Sequence, residues 1–152
     1  GRKVSMNNGA ALKQLMALIQ GTCQRAEAFT SLNALRQPLE QLVKRLGAVT
    51  LALLGDLMAG KVNQGLANSA LYLKVFGHAV IGWRWLEQAI RAEEGLARIQ
   101  NGAGEAADVD FYQGKLQAAR YFLTWDVPGC HHELAILEAR DDTCLGMRDA
   151  WF

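Results

Sequence analysis

One long helical segment sets the strongest limit on what this chain can fold into. Residues 65–99 contain no proline, and the first half of the segment is apolar on almost every side of a helix. In the second half, Leu86 and Ile90 lie on one face, and Arg84 and Arg91 lie on the other. A helix that is apolar on several sides either lies at the centre of a bundle or presents a docking surface. The segment therefore predicts an all-α fold with this helix in the middle.

Helical spacing also predicts the elements before this segment. A first helix is expected from Asn7 or Asn8 to about Ala28, and a second from Pro38, in its first turn, to a stop at Gly60. A seam of apolar residues at steps of three and four marks the second helix: Leu39, Leu42, Leu46, Val49, Leu53 and Leu57. Gly47 and Gly55 lie inside the second helix and are expected to permit close helix contact.

The third helix is expected from about Asn63 to Gln100, and a fourth from Asp108 or Asp110 to Pro128-Gly129. A short amphipathic helix and one or two turns up to Trp151 complete the chain. No period-2 alternation indicates a strand. The predicted fold is an antiparallel bundle of four main helices plus short C-terminal helices, and 152 residues suit a single domain, 1–152.

Charge and composition exclude several classes of function. The formal net charge is +1 with acids and bases interspersed, so no basic stripe indicates nucleic-acid binding. The longest apolar stretch, 70–85, includes Lys74 and Arg84, which argues against a membrane span. Three cysteines without a CxxC pair indicate a reducing, cytoplasmic location. The chain begins Gly1-Arg2-Lys3 without a methionine, which suggests a piece of a longer protein.

Three sequence patterns could in principle carry chemistry, and each has a simpler interpretation. Residues 55–62, GDLMAGKV, resemble a phosphate-binding loop but lack its hydroxyl residue and follow a helix. Residues 130–133, CHHE, combine metal-capable side chains without a second ligand pair at zinc spacing. His78 has no carboxylate partner nearby in sequence for general base catalysis. We therefore predict no catalytic, cofactor-binding or metal-binding residue in this chain.

Aromatic residues are the main sign of an interaction surface. Ile81 and Trp85 are neighbours at i and i+4, well away from the Leu86–Ile90 stripe that faces the bundle. Core packing is the expected role of Trp83 and Phe122, but one core cannot readily bury both Trp83 and Trp85. We expect a second apolar face that docks a partner. Its candidate residues are Leu73, Ile81, Trp85 and Trp125.

Four stretches of the chain together resemble a known family. They are Gly1-Arg2-Lys3, then NSALYLKVFGHAVIGWRW at 68–85, FYQGKLQAARYFLTW at 111–125 and DDTCLGMRDAWF at 141–152. Their order and spacing resemble the extra C-terminal helical domain of bacterial acyl-CoA dehydrogenases. The branch is similar to the 3-methylmercaptopropionyl-CoA dehydrogenases.

The resemblance implies a parent enzyme rather than an enzyme in this chain. The parent would oxidise an acyl-CoA to a 2-enoyl-CoA, with a glutamate base taking the C2 proton and FAD taking the C3 hydride. The Tyr-Glu-Gly-Thr loop of that base is absent here, so the implied partner is the parent's catalytic core, with a second copy forming a homodimer. The alternative is a free-standing helical adaptor that binds a partner helix.

Overall fold

The computed structural model describes residues 10–151, and most of that range is helical. The predicted start of the first helix at Asn7 or Asn8 lies outside the described residues. Its α-helices are α1 (Ala10–Ala26), α2 (Asn33–Met58), α3 (Val62–Leu66), α4 (Ser69–Gln100), α5 (Val109–Tyr121), α6 (Val127–Gly129) and α7 (His131–Ala139). A π-helical segment, Phe122–Asp126, joins α5 to α6. Short 3₁₀ turns occupy Thr30–Leu32, Ala106–Asp108 and Asp149–Trp151. Residues 10–151 contain no strand, so the all-α prediction is confirmed.

The four long helices form an up-and-down bundle. Thr50, late in α2, hydrogen-bonds Tyr72, early in α4, with 2.8 Å between their hydroxyl oxygens. Gly82, further along α4, approaches Leu39 near the start of α2. Gly95 near the end of α4 meets Tyr112 near the start of α5. Consecutive long helices therefore run in opposite directions, as the short connections predict.

The core lies where α1, α2, α4 and the α5–α7 region meet. The predicted seam of α2 supplies Leu39, Leu42, Leu46 and Val49, all buried. Leu86 and Ile90 of α4 are buried as expected, as are Leu134 and Leu137 of the short α7. Because these residues recur every three or four positions, each helix buries one stripe against the others.

Two predicted helix boundaries are wrong, for local reasons. α2 begins at Asn33 rather than Pro38, because Leu32 and Leu35 are buried and extend the helix upstream. Pro38 is thus inside the helix and cannot donate to the carbonyl of Ala34. The predicted third helix is broken between α3 and α4. There the Asn68 side-chain amide donates to the carbonyl of Asp141 at 2.7 Å, which favours a non-helical cap.

The close-contact glycines differ from the predicted pair. A Cβ atom added to Gly47 or Gly55 would meet nothing within 4 Å, so neither glycine is required for helix contact. Side chains of other elements instead pack tightly against Gly65, Gly82 and Gly95. Gly60 ends α2 as predicted, with a φ of 79° and its N–H donating to the carbonyl of Leu57 at 3.1 Å.

Candidate docking surface

The exposed apolar residues of α4 lie along one side of the helix. Leu73 is 66% exposed and Ile81 is about half exposed. They are eight residues apart, which is about 12 Å along the helix axis. Gly77 lies between them, and a Cβ atom added there would meet nothing within 4 Å. The structure therefore confirms that both residues are exposed, and their role in docking stays a prediction.

Trp85 differs from the sequence expectation. Its ring is half-buried and packs against the core, so it does not belong to a surface separate from the core. The Nζ atom of Lys115 on α5 lies 5.9 Å from the Trp85 ring centroid and 5.4 Å from that of Phe111. Both distances suit cation–π contacts, and the Lys115 side chain covers part of the Trp85 indole face. Trp85 thus joins α4 to α5 more than it extends the Ile81 surface.

Trp125 lies in the π-helical segment and is 71% exposed. It stacks on Tyr121, also mostly exposed, with ring centroids 6.0 Å apart and planes inclined by 16°. Leu123 and Val127, on either side of Trp125, are buried. The segment therefore directs Trp125 outward while its neighbours fill the core. The sequence pattern did not predict the π-helical segment. Tyr121 belongs to the aromatic cluster of the sequence, and its i, i+4 spacing to Trp125 indicates that the two side chains are neighbours.

A second aromatic pair fixes the π-helical segment to α4. The rings of His78 and Phe122 stack with centroids 5.9 Å apart and planes inclined by 20°. The Nδ1–H of His78 donates to the Lys74 carbonyl at 2.8 Å. His78 is therefore a packing residue, as its lack of a carboxylate partner indicated.

We call the exposed set Leu73, Ile81, Tyr121 and Trp125 the docking surface.

A polar network joins α1 to α4. The indole N–H of Trp83 donates to the Thr22 hydroxyl oxygen at 2.7 Å. Arg25 of α1 lies 3.3 Å from a carboxylate oxygen of Glu87, which also pairs with Arg84. Trp83 packs against the core as expected, and the N–H at the edge of its half-buried ring takes part in this network. Side chains far apart in sequence form the network, so sequence spacing could not reveal it.

In the CHHE segment, the side chains of His131 and Glu133 form contacts with other helices. Glu133 pairs with Lys74 at 2.5 Å, and the Arg45 guanidinium contacts His131 Nδ1 at 2.7 Å. Lys74 lowers the pKa of Glu133, and Arg45 lowers the pKa of Glu138, by hydrogen bonding to each carboxylate. Within residues 10–151, no cluster of three or more His, Cys, Asp or Glu side chains could hold a metal ion.

The buried thiols are poor nucleophiles. Burial, with a smaller effect from Glu40, raises the pKa of Cys23 to about 11. Burial also raises the pKa of Cys130, whose thiol contacts the Asp126 carbonyl at 3.8 Å. A thiolate is the reactive form of cysteine, and both environments disfavour it.

The glycine-rich segment at 55–62 is the end of α2. Lys61 N–H donates to the Asp56 carbonyl at 2.9 Å, completing the cap that Gly60 begins. A phosphate would there meet the negative end of a helix dipole rather than free N–H groups. The segment therefore does not suit a nucleotide or a flavin pyrophosphate.

Residues 15–148 match a family model described as "Acetyl-CoA dehydrogenase C-terminal like". No curated protein sequence matches the chain significantly. Among residues 10–151, no helix has the length and apolar character needed to cross a membrane.

Proposed function

The chain belongs to the acetyl-CoA dehydrogenase C-terminal-like family, and from that premise we propose that it is an accessory domain that docks on the catalytic core of an acyl-CoA dehydrogenase. We propose further that residues 1–152 form a single domain of a longer enzyme. The exposed docking surface is the observation that carries this proposal. Four large apolar side chains project from α4 and from the neighbouring end of α5 with its π-helical segment, beside a well-packed core.

The location of the docking surface supports a rigid contact. Leu73 and Ile81 project from the central helix, which is anchored by buried Leu86 and Ile90. The segment that carries Trp125 is anchored by the buried Leu123, and the Trp125 ring stacks on Tyr121. Ordered aromatic side chains lose little conformational entropy on binding and are enriched at interfaces. The catalytic core is the proposed occupant because the family is defined as the C-terminal part of a larger dehydrogenase.

We assign the chemistry of the parent enzyme to its separate catalytic core. FAD would accept the hydride there, and no residue of this chain is proposed to contact it. The Gly-Lys segment at 55–62 caps a helix C-terminus, and the buried thiols are held protonated. We therefore derive no catalytic step through residues of this chain.

The finer features implied by the resemblance are also proposals. They are the 3-methylmercaptopropionyl-CoA branch, a bacterial source, a cytoplasmic location and a homodimeric parent. The proposed branch rests on the sequence resemblance of residues 68–85, NSALYLKVFGHAVIGWRW, and of the closing helices to those enzymes.

A simple assay tests the accessory role. The purified chain should be colourless and should not reduce an electron-acceptor dye when supplied with acyl-CoA. Free FAD mixed with the chain and then removed by gel filtration serves as the control for loose binding. Stoichiometric flavin after filtration, or turnover above the protein-free blank, would contradict the proposal. Tight binding of an isolated helical peptide, with no affinity for a dehydrogenase core, would instead favour the free-standing adaptor.

A further inference from the structure

A second apolar surface lies at the end of the bundle where α2 finishes and α4 begins. Met58 at the end of α2 is 89% exposed, and Val62 and Leu66 of α3 are about half exposed. A cavity of about 50 Å³ is lined by Leu66 and by apolar side chains of α2 that include Leu53 and Leu57. We call Met58, Val62 and Leu66 the bundle end.

The C-terminal segment runs beside the bundle end. Asp142 and Leu145 line a cleft of about 430 Å³ together with Lys61 and Val62. Leu145 and Val62 are both about half exposed. The chain therefore brings two half-exposed apolar residues to the same cleft.

The start of this C-terminal segment is fixed to the bundle. The Asn68 side chain donates to the Asp141 carbonyl at 2.7 Å, and Arg140 Nε lies 3.5 Å from Asp56 Oδ2. Beyond this anchor the segment is exposed and presents Met147 and Trp151, each more than half exposed. Met147 is only two residues beyond Leu145, or up to about 7 Å of chain.

We propose that residues 142–151 form a strap that closes over the bundle end, with Leu145 packing on Val62 and Met147 reaching Leu66 and Met58. The anchor at Asp141 makes this contact intramolecular, so its effective concentration far exceeds that of a separate partner. Closure removes exposed apolar surface of the strap and of the bundle end from water. The bundle end is thereby covered by the chain itself, and the docking surface is left for the catalytic core. The strap does not depend on the proposed function.

Methionine oxidation tests the strap directly, because the rate of sulfoxide formation follows exposure. We expect Met58 to be oxidised more slowly in the full chain than in a chain ending at Asp141, by a factor of about five or more. Leu145→Ser, a point variant that keeps Met147, should accelerate oxidation of both Met58 and Met147. Leu18→Ser is the matched control, since Leu18 is a half-exposed leucine on α1 and should change neither rate.

Two outcomes would overturn the strap. In one, Met58 is oxidised equally fast in the full chain, in the shortened chain and in Leu145→Ser. In the other, protection of Met58 disappears when the full chain is diluted, which would show that a second copy covers the bundle end. Protection that is independent of concentration and lost in Leu145→Ser is the result we expect.

Discussion

Tyr121 and Trp125 stack in the open, with ring centroids 6.0 Å apart, on a helical segment whose inner face is buried. Tyr121, Trp125 and Leu123 all lie within residues 121–125. Exposed and buried side chains of one short segment can therefore be compared directly. The aromatic pair is mostly exposed, whereas Leu123 is fully buried.

Trp125→Ser should therefore leave the fold nearly unchanged. The side chain is mostly exposed, so the expected loss is the stacking contact, below about 1 kcal/mol in the free energy of unfolding. Leu123→Ala, the buried control, should cost about 2–5 kcal/mol. Urea unfolding of the three chains measures both values. Equal losses for the two variants would place Trp125 in the core and remove it from the docking surface.

The same contrast holds on α4. Leu86→Ala removes a fully buried side chain and should cost about 2–5 kcal/mol. Ile81→Ala, five residues away on the exposed side, should cost less than about 1 kcal/mol. Thermal and urea unfolding give the comparison. A loss at Leu86 below that at Ile81 would show that the two faces of α4 have been assigned the wrong way round.

Gly95 offers a test of helix packing between α4 and α5. A Cβ atom at Gly95 would lie 2.6 Å from Cε2 of Tyr112, so Gly95→Ala must displace the ring. We expect a loss of about 1–3 kcal/mol despite the better helix propensity of alanine. Gly55→Ala is the matched control, because its Cβ meets nothing within 4 Å and should stabilise α2 by up to about 1 kcal/mol. Stabilisation by both substitutions would disprove the tight α4–α5 contact.

The hydrophobic pattern predicted the fold class, the order of helices and most of the core. Leu39, Leu42, Leu46 and Val49 recur at helical spacing, and all four are buried because a bundle requires one apolar stripe from each helix. The pattern failed at the ends of helices. Pro38 is a good first-turn residue by itself, but burial of Leu35 outweighed that preference.

The candidate surface was predicted only in part. Leu73, Ile81 and Trp125 are exposed, whereas Trp85 is half-buried because Lys115 and the core cover it. The position of α5 over α4 determines that burial, and helical spacing within one segment contains no information about it. The same holds for Gly95 and Tyr112, whose contact depends on where two helices cross.

Acid should weaken the fold through the carboxylates that join α7 to the bundle. Lys74 lowers the pKa of folded Glu133, and Arg45 lowers that of Glu138. The unfolded chain therefore binds more protons in acid, so stability falls as the pH drops below the unfolded glutamate pKa of about 4.3. Lys74→Met should make the melting temperature less dependent on pH below about pH 5. A pH profile identical to that of the unsubstituted chain would show that the Lys74–Glu133 pair adds nothing to stability.

The most direct test of the accessory role compares this chain alone with the same residues inside a longer acyl-CoA dehydrogenase. Hydroxyl-radical footprinting reports the reactivity of Trp125 and Tyr121 in both settings, with exposed Phe111 at the far end of α5 as the internal control. We predict that Trp125 and Tyr121 become several-fold less reactive in the longer enzyme while Phe111 does not change. Equal reactivity of Trp125 in the two settings, or protection of Phe111 instead, would contradict docking through this surface.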